Sequence, residues 1–366
     1  MRRLGFYALL LCALLLGKAH AADTIKIATV GPMTGQNASI GAQMAKGADL
    51  AVRNINEAGG LLGKKLELLT LDDACDPRQA TAVANQLANQ GVVFVAGHFC
   101  SSATIPASSI YSEQGMTMIT PASTNPLLTE RKLPYVFRMC GRDDQQGVIA
   151  ADFIAARFKD RRLAVLHDKS SYGKGLADVT KASLNAKGIK EVVYDSVTVG
   201  ERDFAPLISR LKKEGVGVVF FGGYQMEAGL IKRQAAEQGL DLVLVAGDSL
   251  ITSEYWTITG DAGENTFMTF APDPRRNPGA AKIVESFRAA KYEPEGYTLF
   301  NYAVVEAFVA AAKKAGTVDA DAVQKVLKSE AVDTLLGAVR FDAKGDNANP
   351  GFIVYRWTKG DYTPVE

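Results

Sequence analysis

The strongest constraint on the fold is an alternation of short apolar runs and helix-periodic stretches, and this alternation occurs twice. The apolar runs of the first half are residues 24–30, 66–71, 92–96 and 116–119. Those of the second half are residues 163–167, 192–197, 216–221 and 242–246. Strands separated by helices pair in parallel through crossover connections. The 366 residues therefore predict two similar α/β lobes, since the chain is too long for one average domain.

Three stretches interrupt this alternation, and we expect the chain to cross between the lobes there. They are residues 134–142, residues 266–271 and the Gly/Asp/Asn-rich residues 342–351, which lie between strands predicted at 339–341 and 352–357. The resulting division is an N-terminal lobe of residues 22–141 plus 272–342, and a C-terminal lobe of residues 142–271 plus 351–366.

Small hydroxyl residues follow two of the predicted strands, in the segments Gly97–Ser102 and Thr120–Pro126. Where a strand gives way to a helix, free backbone N–H groups and hydroxyls can hold an anion such as a carboxylate. Ligands of open α/β sheets bind beyond the carboxyl ends of the strands. Two such turns side by side would form half of a pocket for a small zwitterion. The simpler interpretation is that Ser101 and Ser123 only cap helices and turns.

The N-terminus has the pattern of a secretory signal peptide, residues 1–21, rather than of the folded protein. Arg2 and Arg3 precede the apolar run Leu4–Leu16, and Ala19-His20-Ala21 is a small-x-small cleavage site. A membrane anchor is less favoured because the run is shorter than the ~20 residues that span a bilayer. With no second segment of that length, we expect an exported, soluble mature protein.

Charge and cysteine content narrow the choice of partner and compartment. The chain has 41 Lys and Arg residues against 40 Asp and Glu residues, and cleavage would remove three of the basic ones. This near-neutral balance argues against nucleic acid as a partner. In an oxidising compartment Cys75 and Cys100 are the natural disulfide pair, each just past a predicted strand. Cys140, in an apolar context, is predicted to be a buried free thiol.

The residues that could carry catalysis do not assemble into a known pattern. His98, Cys100 and Asp73 match no zinc spacing. A triad of Ser101, His98 and Asp72 lacks the Gly-x-Ser-x-Gly turn of a nucleophile. The glycine-containing segments at 59–65 and 173–175 match neither a phosphate-binding loop nor a dinucleotide fingerprint. We therefore predict no catalytic residue, no metal and no cofactor, and an exported enzyme is the weaker alternative.

Five motifs together resemble the periplasmic leucine/isoleucine/valine-binding proteins of ABC importers. They are Asp72–Pro77, Gly97–Ser102, Pro121–Pro126, His167–Lys169 with Tyr172-Gly173, and Phe221–Tyr224. The resemblance extends in order over essentially the whole mature chain. It implies an α/β type I periplasmic binding protein: two Rossmann-like lobes joined by a three-strand hinge, with the ligand in the cleft. It also implies a Cys75–Cys100 disulfide, a periplasmic monomer without enzymatic activity, and an ABC permease of the inner membrane as partner.

The same resemblance assigns ligand contacts to individual positions. Ser101 and Thr124 would hold the ligand carboxylate, and Ser123 belongs to the same turn. The Ala122 carbonyl, the Thr124 hydroxyl and an acid of the second lobe, Asp248, would hold the ammonium. Tyr172 and Tyr224 would close over the ligand.

Three departures from the family pattern concern the preferred side chain. Ile40 replaces an aromatic residue at the cleft mouth, Phe99 replaces leucine, and Asp248 replaces the usual glutamate. Phe99 would narrow the side-chain pocket, whereas Ile40 and the shorter Asp248 would open space. The preferred ligand is an aliphatic branched-chain L-amino acid captured by hinge closure. The alternatives are a small or aromatic amino acid, γ-aminobutyrate or an amide, or a role as an amino-acid sensor subunit.

Overall fold

The computed structural model describes residues 24–365, so the predicted signal peptide lies outside the described residues. Residues 24–138 build the first sheet. Their elements are β1 (Ile25–Gly31), α1 (Ala38–Glu57), β2 (Leu66–Asp72), α2 (Pro77–Asn89), β3 (Phe94–Gly97), α3 (Ser101–Glu113), β4 (Thr117–Thr120), α4 (Leu127–Glu130) and β5 (Val136–Arg138). The strands pair in parallel in the order β2-β1-β3-β4-β5.

The second sheet begins after a short connection that follows β5. Its elements are α5 (Asp143–Phe158), β6 (Arg162–His167), α6 (Ser171–Ala186), β7 (Glu191–Ser196), α7 (Ala205–Lys213), β8 (Val216–Gly222), α8 (Gln225–Glu237), β9 (Val243–Ala246), α9 (Ser253–Thr259) and β10 (Phe267–Phe270). Five of its strands have the parallel order β7-β6-β8-β9-β10, which repeats the order of the first sheet.

The last part of the chain contributes to both lobes. Its elements are α10 (Ala281–Ala289), α11 (Thr298–Ala315), α12 (Ala320–Ser329), β11 (Val332–Thr334), β12 (Gly337–Val339), β13 (Ile353–Thr358) and β14 (Asp361–Pro364). Helix α11 packs on α1 and β3 of the first lobe, where Phe94 and Phe308 stack at 4.1 Å between ring centroids. Strands β13 and β14 extend the second sheet in antiparallel fashion beyond β10.

Three connecting segments lie side by side between the lobes. Arg138 at the end of β5 forms a parallel bridge with Asp346, so the first and third segments are neighbours. The second segment, residues 266–271, is largely strand β10, which pairs with β13 directly after the third segment. This arrangement confirms the predicted fold class of two α/β lobes with a three-strand hinge.

Local sequence chemistry explains the element boundaries near the cleft. Asp76 caps α2 by accepting hydrogen bonds from the backbone N–H groups of Arg78 and Gln79, both at 2.8 Å, and Pro77 occupies the first helical position. Helix α3 begins at Ser101, so the hydroxyl-rich segment forms the first helical turn. The first backbone N–H groups of α3 therefore lie at the carboxyl edge of the first sheet.

Two details of the sequence prediction are wrong. The strand expected at residues 339–341 is instead β12, which ends at Val339 and pairs with β11 as a hairpin. The hairpin is favoured over the predicted strand because Glu306 accepts a hydrogen bond from the Leu335 backbone N–H at 2.7 Å, which holds the turn in place. The first connecting stretch also contains a paired strand, β5, where only a crossing was expected.

Candidate functional site

A small cavity lies between the carboxyl ends of the two sheets. Its lining residues are Phe99, Ser101, Ala122, Tyr172, Tyr224 and Asp248. The first three follow β3 and β4 of the first lobe, and the last three follow β6, β8 and β9 of the second. In each sheet the order of the strands reverses between the first and third strands of the lobe, and ligands bind at such switch points. All six residues are buried.

On the first lobe the site consists of two hydroxyl-bearing turns, which buried hydrogen bonds within that lobe hold together. Ser123 does not face the cavity, because its hydroxyl donates to the Phe99 carbonyl at 2.8 Å and bonds to the Thr104 hydroxyl. The Ser101 hydroxyl accepts from the Asn125 backbone N–H at 3.3 Å. The two turns are thus tied to each other, and their geometry does not depend on a ligand.

A buried guanidinium fixes the second of these turns. Arg138 is fully buried and donates to the carbonyls of Ser123 at 3.0 Å and Asn125 at 2.8 Å. The same side chain forms an ion pair with Asp346 at 2.8 Å. Since Asp346 belongs to the third connecting segment, the ligand turn and the hinge are joined through one residue.

On the second lobe the site is organised around one acid. The Asp248 carboxylate accepts hydrogen bonds from Gln146 at 2.8 Å, from Tyr172 at 2.9 Å and from the Tyr297 hydroxyl. Burial raises the pKa of Asp248, whereas the hydrogen bonds from Tyr297, Gln146 and Tyr172 oppose this shift. Gly247 allows this packing, because a Cβ there would lie 2.3 Å from the Tyr172 hydroxyl.

Aromatic rings form the apolar wall of the cavity. The Phe99 ring lies 5.7 Å from that of Tyr224 and 5.5 Å from that of Tyr297, and the rings of Tyr172 and Tyr224 are 5.2 Å apart. Ile40 is fully buried and does not line the cavity. Thr124 is buried beside the cavity, outside its lining.

Hydrogen bonds across the cleft show that the lobes are closed. Asn125 donates to the Ser171 carbonyl at 2.6 Å, and Gln225 donates to the Gln36 carbonyl at 3.2 Å. Ser39 donates to Glu254 across the same cleft. With its lining residues buried, the cavity can be reached only when the lobes separate.

The residues that were considered for catalysis or metal binding form other contacts. Both ring nitrogens of His98 form hydrogen bonds, to Asp73 at 2.6 Å and to the Tyr111 hydroxyl at 2.8 Å, and all three side chains are buried. Cys75 and Cys100 form the predicted disulfide, and Cys140 is a buried free thiol. Between residues 24 and 365, no helix is both long enough and apolar enough to cross a membrane.

The comparisons with known proteins agree with this geometry. Residues 24–361 match the family model described as periplasmic binding protein. The chain belongs to the periplasmic binding protein family. A relative of Brucella suis named Leu/Ile/Val-binding protein homolog 1 is 47% identical over 98% of this chain and 97% of its own length. An amino acid binding protein of Pseudomonas aeruginosa is also 47% identical, over 98% of this chain and 97% of its own length.

Solved structures of the family share the whole architecture. A leucine-binding protein of Thermotoga maritima has a TM-score of 0.85 at 26% identity, covering 93% of this chain and 98% of that chain. A branched-chain amino acid transporter substrate-binding protein of Streptococcus pneumoniae, solved in complex with isoleucine, has a TM-score of 0.84 at 26% identity and covers 93% and 99%. The family resemblance inferred from the sequence motifs is thereby confirmed.

Sequence reasoning missed three polar residues around Asp248. Gln146 and Tyr297 donate directly to its carboxylate. Asp143, at the start of α5, is fully buried, and its carboxyl group interacts electrostatically with that of Asp248. The only available signal was position: Asp143 and Gln146 follow the first connecting segment, and Tyr297 precedes a long helix. An acid in the first helical turn is so common that it indicated only a helix start.

Proposed function

We propose that this protein is the exported, periplasmic substrate-binding component of an ABC importer and that it captures an aliphatic branched-chain L-amino acid. The single observation that carries the proposal is the polarity of the inter-lobe cavity. Hydroxyl and helix N-terminal groups approach it from one lobe, a buried acid approaches it from the other, and aromatic rings lie between them.

Each end of an amino-acid zwitterion has a matching group in this arrangement. Ser101 and Thr124 would bind the carboxylate, and the Ala122 carbonyl, the Thr124 hydroxyl and Asp248 would bind the ammonium. Charge-assisted hydrogen bonds are strong in such a dry cleft. Within residues 24–365, the buried Tyr224 hydroxyl of the cavity lining has no hydrogen-bond partner, and the nearby Thr124 hydroxyl has only a weak one in Asp143. Buried hydroxyls are ordinarily well paired, so both fit a polar ligand.

Hinge closure follows from the separation of the two sets of contacts. A ligand held by the first lobe alone would meet Asp248, Tyr172 and Tyr224 only in the closed form. Ligand binding would therefore shift the population toward closure. The closed form presents a continuous surface from both lobes, which a permease in the inner membrane would recognise.

A smaller aliphatic amino acid is the second candidate ligand. Phe99 packs edge-on against Tyr297 and at a tilt against Tyr224, so three aromatic rings occupy the space available for a ligand side chain. If this wall is rigid, alanine would fit better than leucine.

Calorimetry of the purified protein with a panel of amino acids tests the proposal. The protein is first unfolded and refolded to remove any amino acid that co-purifies with it. Binding of leucine, isoleucine or valine is expected, with chemically unchanged ligand recovered afterwards. Absence of binding to all three, together with binding of alanine, would select the second candidate. Absence of binding to every amino acid would overturn both.

A further inference from the structure

A second buried acid, Asp143, lies beside the ligand cavity without a charged partner of its own. It is the first residue of α5, and its backbone N–H donates to the Thr124 carbonyl at 2.9 Å. Its side chain is fully buried, and within residues 24–365 the Thr124 hydroxyl is the one side-chain group whose hydrogen bonding favours the carboxylate, with a geometry too poor to satisfy either carboxyl oxygen. Buried polar groups in proteins are ordinarily paired, and burying an ionised carboxylate without a charged partner has an especially large free-energy cost.

Helix geometry places this acid close to the ammonium end of the site. Asp143 and Gln146 are three residues apart on α5 and therefore share one face of the helix. Gln146 reaches Asp248 at 2.8 Å, so the same face presents Asp143 toward Asp248. Two carboxyl groups near each other in a buried site do not both ionise readily, because each disfavours the charge of the other.

Among the groups that act on the ionisation of Asp143, one is positively charged. Arg138 favours the ionised form of Asp143, but that guanidinium is already bonded to Asp346 and to the carbonyls of the ligand turn. Asp248 and Asp144 oppose ionisation. The remaining titratable groups that interact with Asp143 are neutral in their ordinary forms: Cys140, Tyr172 and Tyr224.

We propose that Asp143 is a second acid of the ligand site, that it carries a proton when no amino acid is bound, and that the ammonium group of the ligand displaces this proton into solvent. The carboxylic acid becomes a carboxylate, and the ammonium keeps its own protons. The inference rests on the proposed function. Asp143 does not line the cavity, so it acts as a positioning residue, through the Thr124 turn and through the charge it adds to that of Asp248.

The direction of the pH dependence follows from this exchange. Burial, and next the charge of Asp248, raise the pKa of Asp143 well above its ordinary value. A bound ammonium favours the carboxylate and lowers that pKa. Binding therefore releases a proton, and affinity is expected to fall as pH decreases below the pKa that Asp143 has in the ligand-free protein.

Calorimetric titration with leucine in buffers of different ionisation enthalpy measures the released protons directly. We expect release of up to about one proton per leucine near neutral pH, since one carboxyl is involved. Asp143→Asn should lose this release, and the dependence of its Kd on pH should flatten. The matched control is Asp152→Asn, on the same helix but half exposed and paired with Lys187, which should release protons like the wild type.

The outcomes separate this inference from the proposed function. Failure to bind any amino acid would contradict the proposed function. Normal leucine binding without proton release would overturn the inference alone, as would undiminished release by Asp143→Asn. Loss of release only in Asp248→Asn would also overturn it, because the proton would then reside on Asp248.

A second measurement uses only the wild-type protein, in case Asp143→Asn does not fold. Infrared difference spectra of the leucine-bound and ligand-free protein report protonated carboxyl groups through their C=O stretching band. Loss of one such band on binding is expected. Spectra without that loss would contradict the inference.

Discussion

The two lobes share a strand order but bring opposite chemistry to the cleft. After the strands of the first lobe come small hydroxyl residues and the N-terminus of α3, held by hydrogen bonds within that lobe. After the strands of the second come two tyrosines and an acid. Because both lobes present the carboxyl ends of parallel strands, the fold decides where a ligand binds, and the residues at those ends decide which of its groups each lobe receives.

The lobes also differ in how firmly their ligand groups are fixed. The turns of the first lobe are held by Arg138, by the Ser123 hydroxyl and by the Cys75–Cys100 disulfide. Asp248, by contrast, receives one of its three hydrogen bonds from Tyr297, which directly precedes α11 of the first lobe. The acid is therefore fully surrounded only in the closed form. We expect the first lobe to be preorganised and the second to complete its site on closure.

Removing the acid should have the largest effect on binding. Asp248→Asn keeps the shape of the side chain but leaves the ligand ammonium without its charged partner. The expected loss is about 3 kcal/mol, a Kd raised by roughly 100-fold or more. Calorimetry with leucine measures it. Asp241→Asn, at a highly exposed carboxylate of the same lobe, is the control and should bind normally.

Removing the disulfide should affect the stability of the first lobe but not of the second. Replacing Cys75 and Cys100 by serine is expected to lower the free energy of unfolding by about 3 kcal/mol in the chain-entropy model. Hydrogen exchange, read peptide by peptide, should show faster exchange around α2 and α3. Equal acceleration in both lobes would contradict the view that the first lobe is fixed independently.

Removing a hydroxyl from the first lobe should cost less than removing the acid. Ser101→Ala is expected to lose about 2 kcal/mol of binding, roughly 30-fold in Kd, since a hydrogen bond to a charged group contributes about that much. Ser102→Ala, one position further along α3, is the matched control. A loss equal to that of Asp248→Asn would show that the two ends of the ligand are held equally.

The smallest expected effect tests the packing behind the acid. In Gly247→Ala the added methyl group would displace the Tyr172 hydroxyl from Asp248, and a Kd raised by about 10-fold is expected, because the lost hydrogen bond supports the acid and does not contact the ligand ammonium. A double-mutant cycle with Tyr172→Phe checks the cause. If the hydroxyl transmits the effect, the two substitutions will not be additive. Full additivity would assign the loss to another contact.

Features that depend on local pattern were predictable from the sequence, and those that depend on distant partners were not. Alternating apolar runs placed the parallel strands within one or two residues, and Cys75 and Cys100 formed the expected pair. The cavity contains Phe99 and Asp248, as the family resemblance implied. By contrast, Gln146 and Tyr297 reach Asp248 from 102 and 49 residues away. No periodicity or motif specifies such contacts.

The wrong expectation of a strand at residues 339–341 has the same cause. Residues 340–341 resembled a strand by composition, whereas the hairpin of β11 and β12 turns beside the Glu306 contact to Leu335. Tertiary packing there outweighed local preference. Ile40 is fully buried, and its place at the cleft mouth stays a prediction.

The return of the chain to the second sheet has a consequence for biosynthesis. Strands β13 and β14 are made after the other strands of that sheet, yet β13 covers the edge of β10. Until residues 353–364 have been synthesised, that edge carries unpaired backbone groups. The second lobe therefore reaches its full seven-stranded sheet only after the first lobe has been synthesised.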